Sequence, residues 1–269
     1  MQVPASAKLP VTRADPSILL GAYDHTLNNA SITFLGHGSF GVIVSAVSND
    51  NTRTFKICKK RAEITATLAI QSILPLNVIG FTGFARFDLW CVAELNVSSS
   101  AIWLDVLIER GLARASHVQL CFDALATLHT AGFMHNDVKP ESFVVTDGRV
   151  QLTNLSACAP ANRPCTQGTL GFMHPRTVLN ISSNRTSTTD LYAMAITTVV
   201  VLSRCRVSEI VFYPVEEFDQ QLDACSAART MVVWAQTNQL AEYPQQMLGR
   251  LIDALQRDNR LTFPDFRRL

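Results

Sequence analysis

Three short runs rich in β-branched and aromatic residues, 31–34, 41–47 and 52–58, are separated by glycines or by Ser48-Asn49-Asp50-Asn51. Runs of this kind bounded by turn formers predict strands, and their close succession predicts an antiparallel meander. A helical period follows over 62–74, then two more strand-like runs at 80–88 and 89–95. Beyond Ser100 the period changes: Val118, Cys121, Phe122, Leu125 and Leu128 recur at helical spacing, with Ser116 placed to cap the start and Gly132 to end it. The longest apolar run, 193–202, contains Thr197 and Thr198. It falls well short of the roughly 20 residues a membrane-spanning helix needs and predicts a buried helix instead. The class expected is α+β, a small antiparallel β-sheet lobe with one helix followed by a larger, mainly helical lobe.

Composition narrows the partners. With 269 residues, 48% of them hydrophobic, the chain can bury a substantial core without covalent staples. Twenty-three basic and 22 acidic residues give a formal charge of +1, which supplies no polyelectrolyte signal, so neither nucleic acid nor an anionic membrane is expected as a partner. Met1-Gln2-Val3-Pro4-Ala5 carries no charged region leading into an apolar stretch, and an intracellular location is the expectation. The seven cysteines form no C-x-x-C pair and no zinc-type spacing with histidine, so they are read as reduced.

Two stretches carry candidate chemistry. Leu35-Gly36-His37-Gly38-Ser39-Phe40-Gly41 runs on into Val42-Ile43-Val44, a strand and not a helix, so its glycines read as a hairpin whose backbone N–H groups face phosphate oxygens. An ordinary turn is the plainer alternative. Lys56, 15 residues after Gly41 on the next strand, is placed to meet the same phosphates. The second stretch is His135-Asn136-Asp137-Val138-Lys139-Pro140-Glu141-Ser142, followed by Leu152-Thr153-Asn154-Leu155-Ser156.

On these motifs the chain resembles the eukaryotic-type protein kinases over roughly residues 30–265. His135-Asn136-Asp137 is similar to the catalytic-loop His-Arg-Asp, which implies Asp137 as the group that accepts a substrate hydroxyl proton. Lys139 is what the Ser/Thr-directed branch carries. Gly168-Thr169-Leu170-Gly171-Phe172-Met173-His174-Pro175-Arg176 resembles the end of an activation segment. Thr189-Asp190-Leu191-Tyr192 resembles the start of the central helix whose Asp braces the catalytic loop, and Arg260-Leu261-Thr262 looks like the family's Arg-Pro-Thr. The resemblance implies a bilobal kinase-like fold with an N-terminal extension at 1–30, a smaller lobe at 31–95 and a larger one at 96–269. It also implies nucleotide contacts at Gly36, Gly38, Gly41, Lys56, Glu94 and Leu95, with Ala93 guarding the back of the adenine pocket.

Departures from the family pattern bear on activity. The family's metal ligands are an Asn five residues after the catalytic Asp and the Asp of Asp-Phe-Gly; here those positions are Ser142 and Asn154. Magnesium is a hard cation usually held by one or two carboxylates with phosphate oxygens, so ATP without magnesium, or with magnesium held weakly, is the cofactor expectation. Glu63 is the nearest acidic partner for Lys56 but lies about one helical turn early. Ser156 stands for a glycine, Asn136 for the Arg that receives an activation-segment phosphate, and Arg176 for a Glu that pairs with an Arg, here Arg260. Two readings follow: a pseudokinase that binds a protein partner, or a divergent Ser/Thr kinase acting on a protein substrate. The compact length and the departures are similar to those of kinase-like proteins carried by large DNA viruses.

Overall fold

The computed structural model describes residues 15–38, 41–59, 61–98, 100–173, 177 and 184–203. The expectations placed on Ser39 and Phe40, on His174-Pro175-Arg176 and on Arg260-Leu261-Thr262 lie outside the described residues, as do Cys205 and Cys225. The chain divides into two compact units, Met1–Ala101 and Ile102–Leu269. The α+β class expected from the pattern is the one the elements form.

The first unit is built on a five-stranded antiparallel sheet ordered β1-β2-β3-β5-β4, with β1 Ser31–Gly38, β2 Gly41–Ser48, β3 Asn51–Cys58, β4 Phe81–Phe87 and β5 Trp90–Leu95. The β2–β3 turn is two residues, Asn49 and Asp50, at φ 50° and 60°. That left-handed pair suits a tight hairpin, and Asn and Asp tolerate it better than other side chains.

Helix α1, Pro16–Tyr23, was not legible in the pattern. Asp15 caps it by accepting the Ser17 N–H at 2.9 Å, and Pro16 occupies its first turn. Eight residues are too few for a helix to stand alone in water, and tertiary burial supplies the stability. Leu19, Leu20 and Leu27 pack with Val44, Ala46, Phe55, Ile57, Phe87 and Val92 on one face of the sheet. Each fully buried leucine contributes roughly 1.5–3 kcal/mol. Helix α2, Arg61–Ile73, belongs to the other face, where the Gln71 amide bonds both the N–H and the carbonyl of Phe81.

In the second unit β6 Ile102–Trp103, β8 Phe143–Thr146 and β9 Arg149–Leu152 form a small sheet ordered β6-β8-β9, and β7 Phe133–Met134 pairs with β10 Ala159–Pro160. Asp147-Gly148, both at positive φ, make the two-residue β8–β9 turn. The helices are α3 Leu104–Glu109, α4 Ala115–Thr130 and α5 Ser187–Ser203. Helix α4 begins two residues earlier than Ser116 would set as a cap. Arg114 is the cap residue, and its N–H donates to Nδ1 of His117 at 3.1 Å, which leaves Ser116 inside the first turn. Gly132, at φ 84°, follows the helix end as expected. In α5 the Thr197 and Thr198 hydroxyls donate to the carbonyls of Ala193 and Met194, at 2.9 and 2.8 Å. Local back-bonding of this kind lets two polar residues sit in a buried apolar helix. Among the described residues no helix is long and apolar enough to cross a membrane.

Candidate functional site

In the first unit the glycines have different reasons to be there. A Cβ on Gly36 would meet nothing within 4 Å, so that position faces open space. A Cβ on Gly41 would lie 2.2 Å from the Ile57 carbonyl oxygen and 2.9 Å from Cys58 Cα, so β2 approaches β3 only because Gly41 has none. Gly38 pairs with Gly41 across the hairpin.

Lys56 lies on β3 opposite Ile43 of β2 and Ala93 of β5 and is 7% exposed. Its ammonium forms a buried ion pair with Glu63, which is 3% exposed. The displaced spacing noted in the sequence is therefore accommodated. Helix α2 starts just past the end of β3, and its first turn, not a later one, delivers the carboxylate. A Glu in the first turn is also favoured by the helix dipole.

Glu94 and Leu95 lie at the end of β5. The Glu94 carboxylate accepts from Arg53 Nε at 2.7 Å, Arg53 Nη2 at 2.8 Å and the Tyr23 hydroxyl at 3.2 Å, while Arg53 Nη1 reaches Asp24 at 2.6 Å. The Arg53 hydrogen bonds hold the Glu94 carboxyl below its ordinary range, and those of Arg53 and Thr26 bring Asp24 down to about 2. Burial first, then the Glu94 charge, pushes the Tyr23 phenol up to about 12. Strand alternation puts Glu94 on the face opposite Lys56, so its side chain anchors α1 and only its main chain remains for a ligand. Leu95 is 6% exposed and pairs with Phe81 of β4.

The second unit holds the other half of the expected residues. Asp190, 1% exposed at the start of α5, accepts the N–H groups of His135 at 2.7 Å and Asn136 at 2.8 Å and contacts His129 Nε2 at 2.9 Å. Burial alone would raise its carboxyl. The hydrogen bond to His129 and the backbone N–H of His135 hold it below the ordinary aspartate range. Asn136 takes φ 65°, a turn that aims two successive N–H groups at one carboxylate. Its amide donates to the Ala157 carbonyl at 2.8 Å, tying the loop to the start of the following segment. His135 is fully buried; its Nδ1 accepts from Asp137 N–H at 3.3 Å, so Nε2 carries the proton and donates to the Thr153 carbonyl at 3.0 Å.

Asp137 and Lys139 come together with a third residue to which the sequence assigned no role. Thr169 donates its hydroxyl to Asp137 Oδ1 at 2.7 Å, Lys139 Nζ donates to Thr169 Oγ1 at 2.8 Å, and Lys139 Nζ stands 3.3 Å from Asp137 Oδ2. The Gly168-Thr169 dipeptide at the end of the segment was the available signal. Arg185, 2% exposed, anchors the stretch before Thr169 through Nε and Nη2 to the Cys165 carbonyl, at 3.1 and 2.7 Å, with Nη2 also reaching the Gln167 carbonyl at 3.3 Å. Burial lowers its guanidinium pKa. Asn136, Asp137, Thr169, Arg185 and Asp190 line a small cavity.

Ser142 and Asn154, the positions of the expected metal ligands, also lie in adjoining loops, joined by the Thr153 N–H to the Ser142 carbonyl at 3.0 Å. Ser142 is 0% exposed and its hydroxyl donates to the Asp137 carbonyl at 2.7 Å. Asn154, at φ 58°, donates from its amide to the Glu141 carbonyl at 2.8 Å. Both side chains serve as loop fasteners, and neither brings a negative charge. Octahedral magnesium coordination is demanding and leans on carboxylates, so this donor set does not fit the ion. Among the described residues there is no cluster of three or more His, Cys, Asp or Glu able to hold a metal.

Comparison with known proteins points one way. The Protein kinase domain family profile matches residues 96–268, more than half of the chain. The serine/threonine-protein kinase SULU of Caenorhabditis elegans is 26% identical over 222 residues, 75% of this chain and 22% of that protein. The serine/threonine-protein kinase PAK mbt of Drosophila melanogaster is 25% identical over 185 residues, 62% of this chain and 29% of that protein. Serine/threonine-protein kinase PknG of Mycobacterium leprae (strain TN) is 35% identical over 72 residues, 26% of this chain and 9% of that protein. The chain thus spans less than a third of the length of these relatives. With the Asp190-braced loop at 135–137, the lysine–glutamate pair and the profile match agreeing, the chain belongs to the protein kinase domain family.

Proposed function

We propose that this kinase-family chain is impaired in phosphoryl transfer and acts as a pseudokinase, binding a protein partner through its folded surface. The observation that supports this reading is the chemistry at 142 and 154, where a buried hydroxyl and an amide are spent on loop carbonyls. Metal ions bridging the phosphates supply much of the charge stabilisation in this reaction. Removing one preorganised electrostatic group commonly costs on the order of a hundredfold or more in rate, and here the family's one charged metal ligand is replaced by Asn154 and its amide ligand by the Ser142 hydroxyl. Nucleotide binding without metal belongs to the same reading, because Gly36 leaves room for phosphate oxygens and Lys56 supplies a cation.

One arrangement favours a second reading, a divergent Ser/Thr protein kinase. Asp137 is held by Thr169 and Lys139 in a geometry suited to orienting a substrate hydroxyl and accepting its proton, and the Lys56–Glu63 pair is intact. The relatives carry Ser/Thr kinase names, which agrees with Lys139.

Thermal unfolding with ATP, alone and with Mg²⁺ or Mn²⁺, run beside a phosphate-transfer assay on generic protein substrates, separates the two, since a ligand that prefers the folded state raises the midpoint. The expected result is stabilisation by ATP independent of metal and no transfer. Metal-dependent stabilisation with transfer that disappears in Asp137→Ala overturns the pseudokinase reading.

A further inference from the structure

Cys58 ends β3 and Cys91 is the second residue of β5, and the register of these two central strands sets them directly opposite one another. Directly paired residues on antiparallel strands project to the same face with Cβ atoms about 4.5–5.5 Å apart. A disulfide takes Cβ separations of about 3.5–4.5 Å and Cα separations of about 4.4–6.8 Å, so an adjustment on the order of an ångström suffices. Alternation along the strands puts both sulfurs on the face that carries Lys56 and Ala93. Cys58 also abuts the base of the glycine hairpin, for a Cβ on Gly41 would come within 2.9 Å of Cys58 Cβ. Gly41, Cys58 and Cys91 therefore form one row across β2, β3 and β5.

We propose that Cys58 and Cys91 are a redox modification site, closed by hydrogen peroxide into a cross-strand disulfide that fastens β3 to β5 beside the glycine hairpin. Cys91 is 5% exposed and Cys58 0%, so a small oxidant meets Cys91 first. The Cys91 thiolate attacks one peroxide oxygen and the O–O bond breaks, giving a sulfenic acid and a hydroxide that takes a proton to become water. The Cys58 sulfur then attacks the Cys91 sulfur and displaces its hydroxyl group, which leaves as water with the Cys58 proton. The two thiols together lose two electrons and two protons, and one peroxide becomes two waters. Burial makes the first step slow, because the thiolate is the reactive form and is disfavoured out of water. The site does not depend on whether the chain transfers phosphate.

The test is peptide mapping of the full chain held in peroxide under folding conditions, then alkylated after denaturation. The expected result is a linked peptide pair containing Cys58 and Cys91, an intact mass lower by two hydrogens, and loss of alkylation at both residues, all reversed by dithiothreitol. Cys91→Ala abolishes the link and leaves Cys58 alkylated. Should that variant fold poorly, the wild-type map decides alone. Oxygen added to either thiol without a link, a link through Cys121, Cys158 or Cys165 instead, or unchanged alkylation of both residues overturns the proposal.

Discussion

Removing Glu63 should loosen α2 and β3 by a predictable amount. Lys56 and Glu63 have side chains 8% and 3% exposed, so their charges are shielded from water and each is compensated mainly by the other. Breaking a buried ion pair by deleting one partner costs about 3–5 kcal/mol, since the remaining charge is left without compensation, whereas replacing both by apolar groups of similar size is often neutral. At about 1.4 kcal/mol per factor of ten, Glu63→Ala corresponds to roughly a hundredfold to a few thousandfold more frequent opening of this region. Glu63→Gln keeps an acceptor for the ammonium and should lose less, about 1.5–3 kcal/mol for a hydrogen bond to a charged group. The Lys56→Met/Glu63→Leu double variant should return close to the parent. Hydrogen exchange resolved to α2 and β3 amides is the assay, because it reads local opening in each unit separately. Protection unchanged within about threefold in Glu63→Ala, or a double variant no better than the worse single one, would refute the argument that burial makes this pair costly to break.

Three further outcomes follow from the second unit. Asp190 has a folded pKa below that of an unfolded aspartate, near 3.9. Its contribution is therefore complete above about pH 3.9 and is lost as pH falls through the lower folded value, a loss that Asp190→Asn should remove from an acid titration followed by near-UV circular dichroism. Arg185→Ala should strip protection from the amides of 165–169 in hydrogen exchange, by roughly ten- to a hundredfold for the loss of hydrogen bonds from a charged donor; equal protection would place the anchor elsewhere. Ser142→Asn with Asn154→Asp should create metal-dependent stabilisation by ATP in thermal unfolding, and no metal response would locate the deficit away from these two positions.

Much of the first unit was legible because its strands are written locally. β2, β3 and the turn between them are specified by Val42-Ile43-Val44, by Phe55-Lys56-Ile57 and by the Asn49-Asp50 dipeptide. Helix α1 was not, because eight residues carry little periodicity and Leu19 and Leu20 are fixed by Phe55, Phe87 and Val92, far along the chain. Asp147-Gly148 between Phe143-Val144-Val145-Thr146 and Arg149-Val150-Gln151-Leu152 is a hairpin signal, though the region as a whole reads as mainly helical. At the site, residue types named Asp137, Lys139, Lys56 and Asp190, but pairing is a matter of distance. Glu63 looked misplaced by spacing alone and is brought to Lys56 by the short step from β3 into α2. Thr169 became visible only when its hydroxyl was seen to bridge Asp137 and Lys139.

The tight approach at Gly41 reaches beyond this chain. A relative that binds no nucleotide would still have to keep a hydrogen there, or prise β2 off β3, so persistence of that residue speaks for sheet architecture and says nothing of phosphate. Gly36 is under no such steric duty. Among kin of this protein, a bulky side chain appearing at 36 while 41 stays bare would mark a hairpin kept for the sheet and, on the proposed reading, closed to phosphate.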